Sequence, residues 1–547
     1  MSVRNPGMSA CFAVLGASLL AVAGTAEAGW SGTASKAYTL QNASDLGAVP
    51  DSAPMHIVVG LRLQNEAELD DFIQRSHTLG DREYGTTLSA DETVARFSPS
   101  ARQAQTVTAY LQRAGLSNIS VTANRMLVIA DGSPSRVEAA FNTKVRRYRY
   151  GTRTVFANVA DAQVPDTLNG LVSSVLGLQN ADHPDVLVAY PDAVSTASVA
   201  PQDPVAFQSI YDALGIATGS ATNLGIIVSG DLRQTVADLT TFVSRNHLPA
   251  LQVVFQPSEV TSKDTSGMDE WNLDSQTVVG MAQSLSHLYF YNAASLNDPD
   301  LTVAYNAVVS DNIVKSVNVS LGICERSSHD DGSMAADDAI FKMAAAQGQT
   351  FFVSSGDGGA NTGCFGQQGL FQQVGYPASS PYVVAVGGTT LTTSGAHYVS
   401  ETAWSGSGGG VSIYESAPSW QKAVTGSSFR QVPDVAMDAN PNSGSLIMMQ
   451  GIVLPVGGTS LAAPLSAGFW ARVQSAHGNG LSFAAPLIYA AAGNHAAAAF
   501  HDITSGSNAA GLLGLFGVGG YKAKVGYDEV TGLGSFDVGK FSAAVGP

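Results

Sequence analysis

A serine that follows two glycines is the first candidate for chemistry in this chain of 547 residues. The run Gly457-Gly458-Thr459-Ser460 precedes an apolar stretch, 461–473, whose pattern is typical of a helix. A serine at a helix N-terminus lies beside free backbone N–H groups, and the helix dipole favours developing negative charge there. Ser460 could therefore be a nucleophile next to half of an oxyanion hole, or an ordinary N-capping serine.

A nucleophilic serine needs a base, and a pair of carboxylates could supply it. Glu270 and Asp274 lie at the start of a helical pattern that extends to Leu285, and their spacing places them on one helix face. Two close carboxylates repel when both are ionised, so one of them keeps its proton into weakly acidic solution. The alternative is an exposed acidic first turn that the helix dipole stabilises.

Asp357 is the third candidate, because it lies among glycines directly after the β-rich run 350–353. In open α/β sheets, ligand sites occur at the carboxyl ends of the strands, which is where Asp357 would lie. An Asx turn would give the same local sequence. No histidine in the second part of the chain has a setting typical of serine-histidine catalysis, which leaves His287 and His329 as alternative bases.

The elements around these residues predict an α/β fold with a mainly parallel sheet and flanking helices, since short apolar runs alternate with helical patterns after residue 204. The predicted strands are 224–229, 251–255, 301–309, 316–320, 350–354 and 382–386. Residues 29–189 predict a separate α+β unit, with a strand at 55–63 and a helix at 101–114. A segment rich in Ala, Ser and Pro, 190–204, predicts an exposed linker between the two.

The N-terminus predicts export. Residues 1–28 combine a positive start, an apolar run and the sequence Ala26-Glu27-Ala28, as a cleaved signal peptide does. The mature protein is therefore expected to be a secreted, extracellular or periplasmic monomer without a membrane anchor. Cys11 leaves with the signal, and the remaining pair, Cys324 and Cys364, permits one disulfide in an oxidising compartment.

Composition excludes several functions. Only 13% of residues are charged and the net charge is −17, which argues against binding to nucleic acids or to anionic membranes. Hydrophobic residues make up 45%, enough for a large core. The one basic cluster, 144–153, is either a solvated edge strand or a docking patch for the acidic second part of the chain.

Taken together, these motifs resemble the sedolisin family of serine-carboxyl peptidases, which share a subtilisin-like fold. The resemblance rests on segments spread over nearly the whole chain after the signal. They are Glu-x-x-Leu-Asp at 270–274, Ser-Gly-Asp at 355–357, Gly-Thr-Ser-x-Ala-x-Pro at 458–464, Tyr-Pro-Ala at 376–378, Val-Gly-Gly-Thr at 386–389, Gly-Gly-Gly-Val-Ser at 408–412, Pro-Asp-Val at 433–435 and Phe-Ser-Pro-Ser at 97–100.

The resemblance implies a Ser-Glu-Asp triad. Ser460 would be the nucleophile, Glu270 the general base and Asp274 the residue that orients Glu270 and shares its proton. Asp357, kept protonated, would donate a hydrogen bond to the oxyanion. A carboxylate base works best near its own pKa, so maximal activity is expected in acid.

The resemblance also implies a zymogen. Residues 29–189 would be an activation prodomain that inhibits the enzyme, 190–204 a linker with the self-processing site, and 205–547 the peptidase domain acting on proteins or peptides. Two alternatives stay open at this point. One is a subtilisin-type Ser-His-Asp peptidase, and the other is an inactive binding protein on the same scaffold.

A calcium site is the last feature that the resemblance implies. The segments His-Asp-Ile-Thr-Ser-Gly at 501–506 and Gly-Tyr-Asp at 526–528 correspond to those that bind one Ca²⁺ in the family. Carboxylates and carbonyls are the oxygen ligands that Ca²⁺ prefers. The implied ligands are the carboxylates of Asp502 and Asp528 and the carbonyls of Ile503, Lys524 and Gly526. Lys524 departs from the family pattern, which has glycine there.

Overall fold

The computed structural model describes Met1 and residues 29–186, 188–191, 199–257, 262–361, 372–509 and 519–545, with backbone alone for 494–498. The predicted signal and Cys364 lie outside the described residues, so export and the disulfide stay predictions. Linker residues 192–198 lie outside them as well.

The first unit contains a four-stranded sheet in the order β4-β5-β3-β9 and a three-stranded sheet in the order β2-β6-β7, both antiparallel in the described residues. Its strands are β1 (Trp30–Gly32), β2 (Ser44–Ala48), β3 (Met55–Leu61), β4 (Ser117–Val121), β5 (Leu127–Gly132), β6 (Val145–Tyr150), β7 (Arg153–Asn158), β8 (Gln163–Pro165), β9 (Val172–Leu176) and β10 (Asp185–Val186). Its helices are α1 (Glu66–Ser76), α2 (Ala90–Arg96), α3 (Ala101–Arg113) and α4 (Pro134–Ala140).

The second unit is built around a sheet in the order β12-β13-β11-β14-β16-β18-β19, with β22 also paired to β18. Its strands are β11 (Asn223–Ser229), β12 (Val253–Gln256), β13 (His287–Ala293), β14 (Ser316–Val319), β15 (Leu321–Cys324), β16 (Thr350–Ser354), β17 (Gly375–Tyr376), β18 (Val384–Ser394), β19 (His397–Ala403), β20 (Gly410–Ser416), β21 (Phe429–Val432), β22 (Val435–Asp438), β23 (Ser445–Met449), β24 (Ile452–Val456), β25 (Phe500–His501) and β26 (Ser535–Phe536). Its helices are α5 (Phe207–Ile210), α6 (Arg233–Arg245), α7 (Met268–Ala282), α8 (Asp298–Asp311), α9 (Glu325–Asp331), α10 (Ser333–Ala346), α11 (Ser419–Thr425), α12 (Thr459–Ala476), α13 (Ala484–Ala499) and α14 (Val538–Ala544).

The main sheet is parallel along its length except where β19 joins β18. The central strands β14 and β16 are buried at every position, because helices cover both faces of the sheet. The predicted α/β architecture is therefore confirmed. All parallel strands end at the same edge, and the loops after β14 and β16 meet there.

The prediction of a strand at 301–309 is wrong, because these residues lie within helix α8. The helix starts as expected for one, with Pro299 in its first turn. Its outer face is covered by the first unit, where the side-chain amides of Asn124 and Asn306 donate to one another's oxygens at 2.7 and 3.1 Å. With both faces buried, α8 lacks the polar stripe that would have identified it as a helix.

The hypothesis that the basic cluster 144–153 docks the second unit is wrong for Lys144 and Arg146. Lys144 pairs with Glu138, and Arg146 pairs with Asp45, both within the first unit. The cluster forms β6, the middle strand of its sheet rather than an edge strand.

A charge contact between the two units has its basic residue in the second unit and its acidic residues in the first, the reverse of the docking hypothesis. Lys342, in α10 of the second unit, is nearly buried, and its Nζ lies 2.6 Å from Glu66 Oε1 and 2.9 Å from Asp70 Oδ1 of α1. The acidic partner is thus supplied by the first unit, at a position that the charge totals of the two units did not indicate. None of the described helices is long and apolar enough to cross a membrane.

Candidate active site

Helix α7 carries the two predicted carboxylates into the protein interior. Glu270 and Asp274 have no solvent exposure, and α7 is buried on all sides from Glu270 to its end. The alternative of an exposed acidic first turn is therefore wrong. Ser320, which directly follows β14, donates a hydrogen bond from Oγ to Asp274 Oδ1 at 2.6 Å. Asn318 in turn donates to Ser320 Oγ at 3.2 Å, so the end of β14 orients Asp274.

Burial dominates the ionisation of Asp274. It raises the pKa of this carboxyl well above its ordinary value, while the hydrogen bonds from Ser320 and Asn318 lower it by less. Asp274 therefore holds a proton throughout the acid range. A carboxyl that keeps its proton can share it with a neighbouring carboxylate on the same helix face.

The serine lies at the start of α12, after a turn that needs both glycines. Gly458 has φ +103°, a conformation that other residues rarely adopt. A Cβ on Gly457 would come within 2.4 Å of the Ala439 carbonyl oxygen. The turn places Ser460 in the first turn of the helix, with its side chain fully buried. Its Oγ has no hydrogen-bond partner among the described residues.

Helices α7 and α12 pack directly against each other. A Cβ on Gly468 of α12 would come within 2.8 Å of the Val278 carbonyl oxygen and 2.9 Å of Met281 Cβ, both in α7. Glycine at this position therefore permits an approach that any larger residue would prevent.

The two helices are also parallel. Near their carboxyl ends both meet the short 3₁₀ turn Gly219–Ala221: its Ala221 N–H donates to Ser475 Oγ of α12 at 3.2 Å, and its Gly219 lies against the Ser284 carbonyl just after α7. Ser460 precedes Gly468 in α12 by the same number of residues that separates the first turns of α7 from Val278 and Met281, the contacts of Gly468. Ser460 is therefore level with the first turns of α7. These turns contain Glu270 and Asp274.

Asp357 is tied to the residue before the serine. Its Oδ1 accepts hydrogen bonds from the backbone N–H of Thr459 at 2.7 Å and from Thr459 Oγ1 at 2.8 Å. Thr459 Oγ1 accepts from the Gly356 N–H at 3.0 Å, which closes the connection between the loop after β16 and the start of α12. Because these bonds join distant parts of the chain, the Asx-turn alternative does not describe Asp357.

Desolvation raises the pKa of Asp357 to about 7, and the two hydrogen bonds from Thr459 lower it by less. Asp357 is partly exposed as a residue, and the bonds from Thr459 engage its Oδ1. Below neutral pH its second oxygen can carry the proton and donate a hydrogen bond to an anion that forms beside it.

Neither alternative base is hydrogen-bonded to Ser460 Oγ in the described residues. His287 is the first residue of β13, whose parallel neighbours end at the opposite edge, about 20 Å away for a strand of this length. His329 stacks on Tyr414 with ring centroids 3.9 Å apart and pairs with Asp330. In the described residues Asp357 is bonded to Thr459, next to the serine, whereas these two histidines have other partners.

Reasoning from sequence missed Ser320, Asn318 and Thr459 as residues that position the site. Ser320 had a usable signal, because it follows a predicted strand in the same way that Asp357 follows its own. Thr459 had none, since its role depends on contact with a loop far away in sequence.

Four of the five predicted calcium ligands, all except Ile503, are joined by hydrogen bonds around the loop 524–528. The N–H of Gly526 donates to Asp502 Oδ2 at 3.1 Å, and the N–H of Lys524 donates to Asp528 Oδ2 at 3.0 Å. Lys524 Nζ lies 3.6 Å from Glu529 Oε2, so its charge is not directed at Asp528. Both carboxylates therefore reach the loop whose carbonyls were predicted to complete the shell, and the donor set suits a hard cation.

Clusters of three or more His, Cys, Asp or Glu side chains suited to a metal do not occur in the described part of the chain. This finding does not bear on the calcium site, whose predicted ligands are two carboxylates and three carbonyls.

Buried carboxyls outside the site lead to a prediction on stability. Burial raises the pKa values of Asp298, Asp337, Glu401 and Asp438. At pH values between the ordinary carboxyl pKa near 4 and the raised pKa of the folded state, these carboxyls are protonated in the folded chain and ionised in the unfolded chain. The stabilisation is complete below about pH 4 and is lost as pH rises through the folded-state values, so the free energy of unfolding falls toward neutrality.

We therefore expect an inactive Ser460→Ala variant to melt at least about 5 °C higher at pH 4.5 than at pH 8, as followed by circular dichroism. Ion pairs that favour neutral pH, such as Arg146–Asp45, are mostly exposed and contribute little. Equal melting temperatures at the two pH values would contradict the assignment of these carboxyls as protonated.

Similarity to known proteins extends over nearly the whole chain. Residues 41–181 match the family described as the pro-kumamolisin activation domain, and residues 262–519 match the subtilase family. Sedolisin of Pseudomonas sp. strain 101 is 40% identical over 577 aligned positions, which cover 99% of this chain and 96% of the relative. Xanthomonalisin of Xanthomonas sp. strain T-22 is 38% identical, with 93% of this chain and 68% of the relative covered.

A solved structure is similar as well. Pseudomonas sedolisin, a serine-carboxyl proteinase complexed with two molecules of pseudo-iodotyrostatin, superposes with a TM-score of 0.60 at 42% identity. The match covers 64% of this chain and 99% of that structure.

Proposed function

Because the chain belongs to the sedolisin family and is a serine peptidase with a subtilisin-like fold, we propose that it is an endopeptidase that hydrolyses proteins and peptides in acid through Ser460, Glu270 and Asp274. We propose further that it is exported by residues 1–28 and made as a zymogen that processes itself.

In the proposed mechanism, Ser460 Oγ attacks the peptide carbonyl and Glu270 takes its proton. Asp274 shares a proton with Glu270 and keeps it oriented, held in turn by Ser320. The protonated Asp357 and the backbone N–H of Ser460 donate to the oxyanion. Glu270 then gives the proton to the leaving amine, and water hydrolyses the acyl-enzyme by the same route.

One observation carries this proposal: the parallel packing of α7 and α12 brings a buried serine without a hydrogen-bond partner on Oγ level with two buried carboxyls. Buried carboxyls suit proton transfer in acid, where a histidine would be protonated and unable to act as a base. The hydrogen bonds from Thr459 to Asp357 support the proposed role of Asp357 as an oxyanion donor, because they fix its carboxyl beside the residue that precedes Ser460.

The Ser460→Ala variant tests the proposal. We expect the wild-type precursor to lose its first unit and to digest denatured protein at pH 4, and the variant to do neither, because no other residue supplies the nucleophile. Gel analysis and N-terminal sequencing after purified precursor is moved from pH 7.5 to pH 4 would measure both. Loss of the first unit from the variant without added protease would contradict self-processing.

The first unit is proposed to act as an inhibitor while it is attached. Its sheet rests on α8 and α10, and it contributes Glu66, Asp70 and Asn124 to polar contacts with the peptidase unit. In addition, the backbone N–H of Leu88 donates to the Ala346 carbonyl at 2.9 Å. These contacts hold the unit on the peptidase surface while it is attached.

Asp502 and Asp528 are proposed to bind one Ca²⁺ together with the carbonyls of Ile503, Lys524 and Gly526. A bound calcium ion would balance the charge of the two carboxylates and hold the loop at 524–528 against the loop that begins at Asp502. Asp528 is fully buried, so a cation beside it would offset the cost of burying its charge.

Removal of calcium is expected to lower the melting temperature by several degrees, because a ligand at about 100 times its Kd stabilises the folded state by about 3 kcal/mol. Melting of the Ser460→Ala protein with calcium and with a chelator, together with its metal content by mass spectrometry, would measure the effect. The added change Asp502→Asn should abolish both the bound calcium and the chelator effect, whereas Asp311→Asn, far from the site, should not. A chelator-insensitive melting temperature and no bound metal would contradict the proposal.

A further inference from the structure

The face of α7 opposite the two carboxyls carries two amide side chains. Asn272 lies two residues after Glu270, and Gln276 lies two residues after Asp274. Because an α-helix turns by about 100° per residue, a step of two residues moves a side chain to nearly the opposite side of the helix. Asn272 and Gln276 are completely buried, so their amides need hydrogen-bond partners within the protein.

Gln276 joins α7 to β23. Its Nε2 donates to the Met448 carbonyl at 2.7 Å, and its Oε1 accepts from the Met448 N–H at 2.9 Å. The side-chain amide thus bonds to both backbone groups of Met448, as a neighbouring strand would. Nε2 also donates to Asn272 Oδ1 at 3.1 Å, which holds the plane of the amide. The position of Met448 relative to α7 is therefore fixed in distance and in orientation.

The turn after β23 is held against the same face of α7. The Gln450 N–H donates to both carboxylate oxygens of Asp238 in α6, at 3.0 Å each. Asn272 Nδ2 of α7 donates to the same carboxylate at 3.4 Å. Asp238 thus connects α6, α7 and the turn between β23 and β24.

The hairpin held in this way is the one that leads to the nucleophile. Its strands β23 and β24 are paired antiparallel from the turn to the base, and Val456 at the end of β24 precedes Gly457. Gly457 begins the turn into Ser460. Because the ladder of hydrogen bonds resists stretching, the hairpin carries its position at α7 to the start of α12.

The opposite face of α7 is held as well, by the bond from Ser320 Oγ to Asp274. The helix is thus hydrogen-bonded on two opposite sides, which fixes its rotation about its own axis. A rotation of about 20° would move a side-chain oxygen about 5–6 Å from the axis by about 2 Å. A misplacement of about 1 Å at a reacting group can cost about 100-fold in rate.

We propose that Gln276 is a positioning residue for the peptidase reaction. Its bonds to Met448 fix the rotation of α7 and thereby the distance between Glu270 and Ser460 Oγ. The inference rests on the proposed mechanism, in which Glu270 takes the proton from Ser460. Gln276 lies on the far face of a buried helix and acts through Glu270, so its loss slows the chemical step and leaves substrate binding nearly unchanged.

The Gln276→Met variant tests this role, because methionine has a similar length and volume but cannot make either bond. We expect kcat for a peptide substrate at pH 4 to fall about 100-fold and KM to change by less than about threefold. Self-processing of the precursor is expected to slow by a similar factor. Mature variant can be prepared with immobilised wild-type enzyme, which is then filtered off, and assayed well below its melting temperature.

Gln474→Met is the matched control. Gln474 is also completely buried and bonds to both backbone groups of Leu481, with Nε2 to the carbonyl at 3.0 Å and Oε1 to the N–H at 3.3 Å. It lies at the other end of α12, about 21 Å from Ser460 along the helix axis. This variant should lower the melting temperature about as much as Gln276→Met and keep kcat within about threefold of wild type.

Gln276→Glu is the conservative variant. A protonated carboxyl has one oxygen that accepts and one O–H that donates, which is the same pair of groups as the amide. At pH 4 this variant should restore kcat to within about fivefold of wild type, because it can make both bonds to Met448. If Gln276→Met does not fold, Gln276→Asn, which is too short for both bonds, is compared with Gln474→Asn.

The outcomes separate the two proposals. A kcat of Gln276→Met within about threefold of wild type, an equal loss of kcat in Gln474→Met, or no recovery in Gln276→Glu would overturn the positioning role and leave the catalytic proposal intact. A Glu270→Gln enzyme with more than a tenth of wild-type activity would overturn the catalytic proposal itself.

Discussion

Replacement of Glu270 by glutamine is expected to lower kcat/KM for a peptide substrate at pH 4 by about 10³–10⁴-fold. The amide has nearly the same shape as the carboxyl, but it cannot take the proton from Ser460. Since Glu270 is completely buried, solvent cannot replace it as the base. Mature enzyme assayed under single-turnover conditions would show whether the loss lies in acylation, where the base is needed first.

Two further variants make this test specific. Asp274→Asn should cost less than Glu270→Gln, because Asp274 acts by orienting Glu270 and by sharing its proton. Asp311→Asn is the matched control, since Asp311 ends α8 at the opposite edge of the sheet. It should keep activity within about twofold, as expected for a surface change away from the site. A Glu270→Gln enzyme with more than a tenth of wild-type activity would contradict a role as general base.

Activity is expected to fall about tenfold per pH unit above pH 7, because the pKa of Asp357 is about 7. Below this value the carboxyl is protonated and donates a hydrogen bond to the oxyanion. Above it the carboxylate repels the oxyanion instead, so the loss runs from acid toward alkali. A profile of kcat/KM from pH 3 to pH 9, on enzyme shown to stay folded throughout, would measure it.

The Asp357→Asn variant tests whether ionisation of Asp357 causes the loss of activity above pH 7. The side-chain amide can accept the hydrogen bonds from Thr459 as the carboxyl does, and its N–H₂ donates at every pH. The variant is expected to be less active than the wild type in acid, because an amide is a weaker hydrogen-bond donor than a carboxylic acid. Its kcat/KM should no longer decrease near pH 7. A wild-type profile that is flat from pH 4 to pH 8, or a variant that keeps the fall near pH 7, would contradict the assignment.

Several elements could be predicted from local sequence because local sequence determines them. Helix α3 starts where Ser100 and Gln103 form a capping box and ends as predicted before Gly115, within one residue of the expected bounds. In contrast, β13 was missed and α8 was taken for a strand. Helix α8 is mostly buried, so its helical period is not visible, and β13 (His287–Ala293) directly follows a helical pattern that extends to Leu285.

The sequence by itself determined the types and the order of the groups that can do chemistry. It placed Glu270 and Asp274 one turn apart on a helix, and it put two glycines before Ser460, because both features depend only on near neighbours.

Only the tertiary structure decided that the two helices carrying these groups pack against each other. The approach of α7 to α12 depends on Gly468 and on the turn that holds the ends of both helices, far apart in sequence. The raised pKa values of Asp274 and Asp357 likewise come from burial by surrounding elements, which no local pattern records.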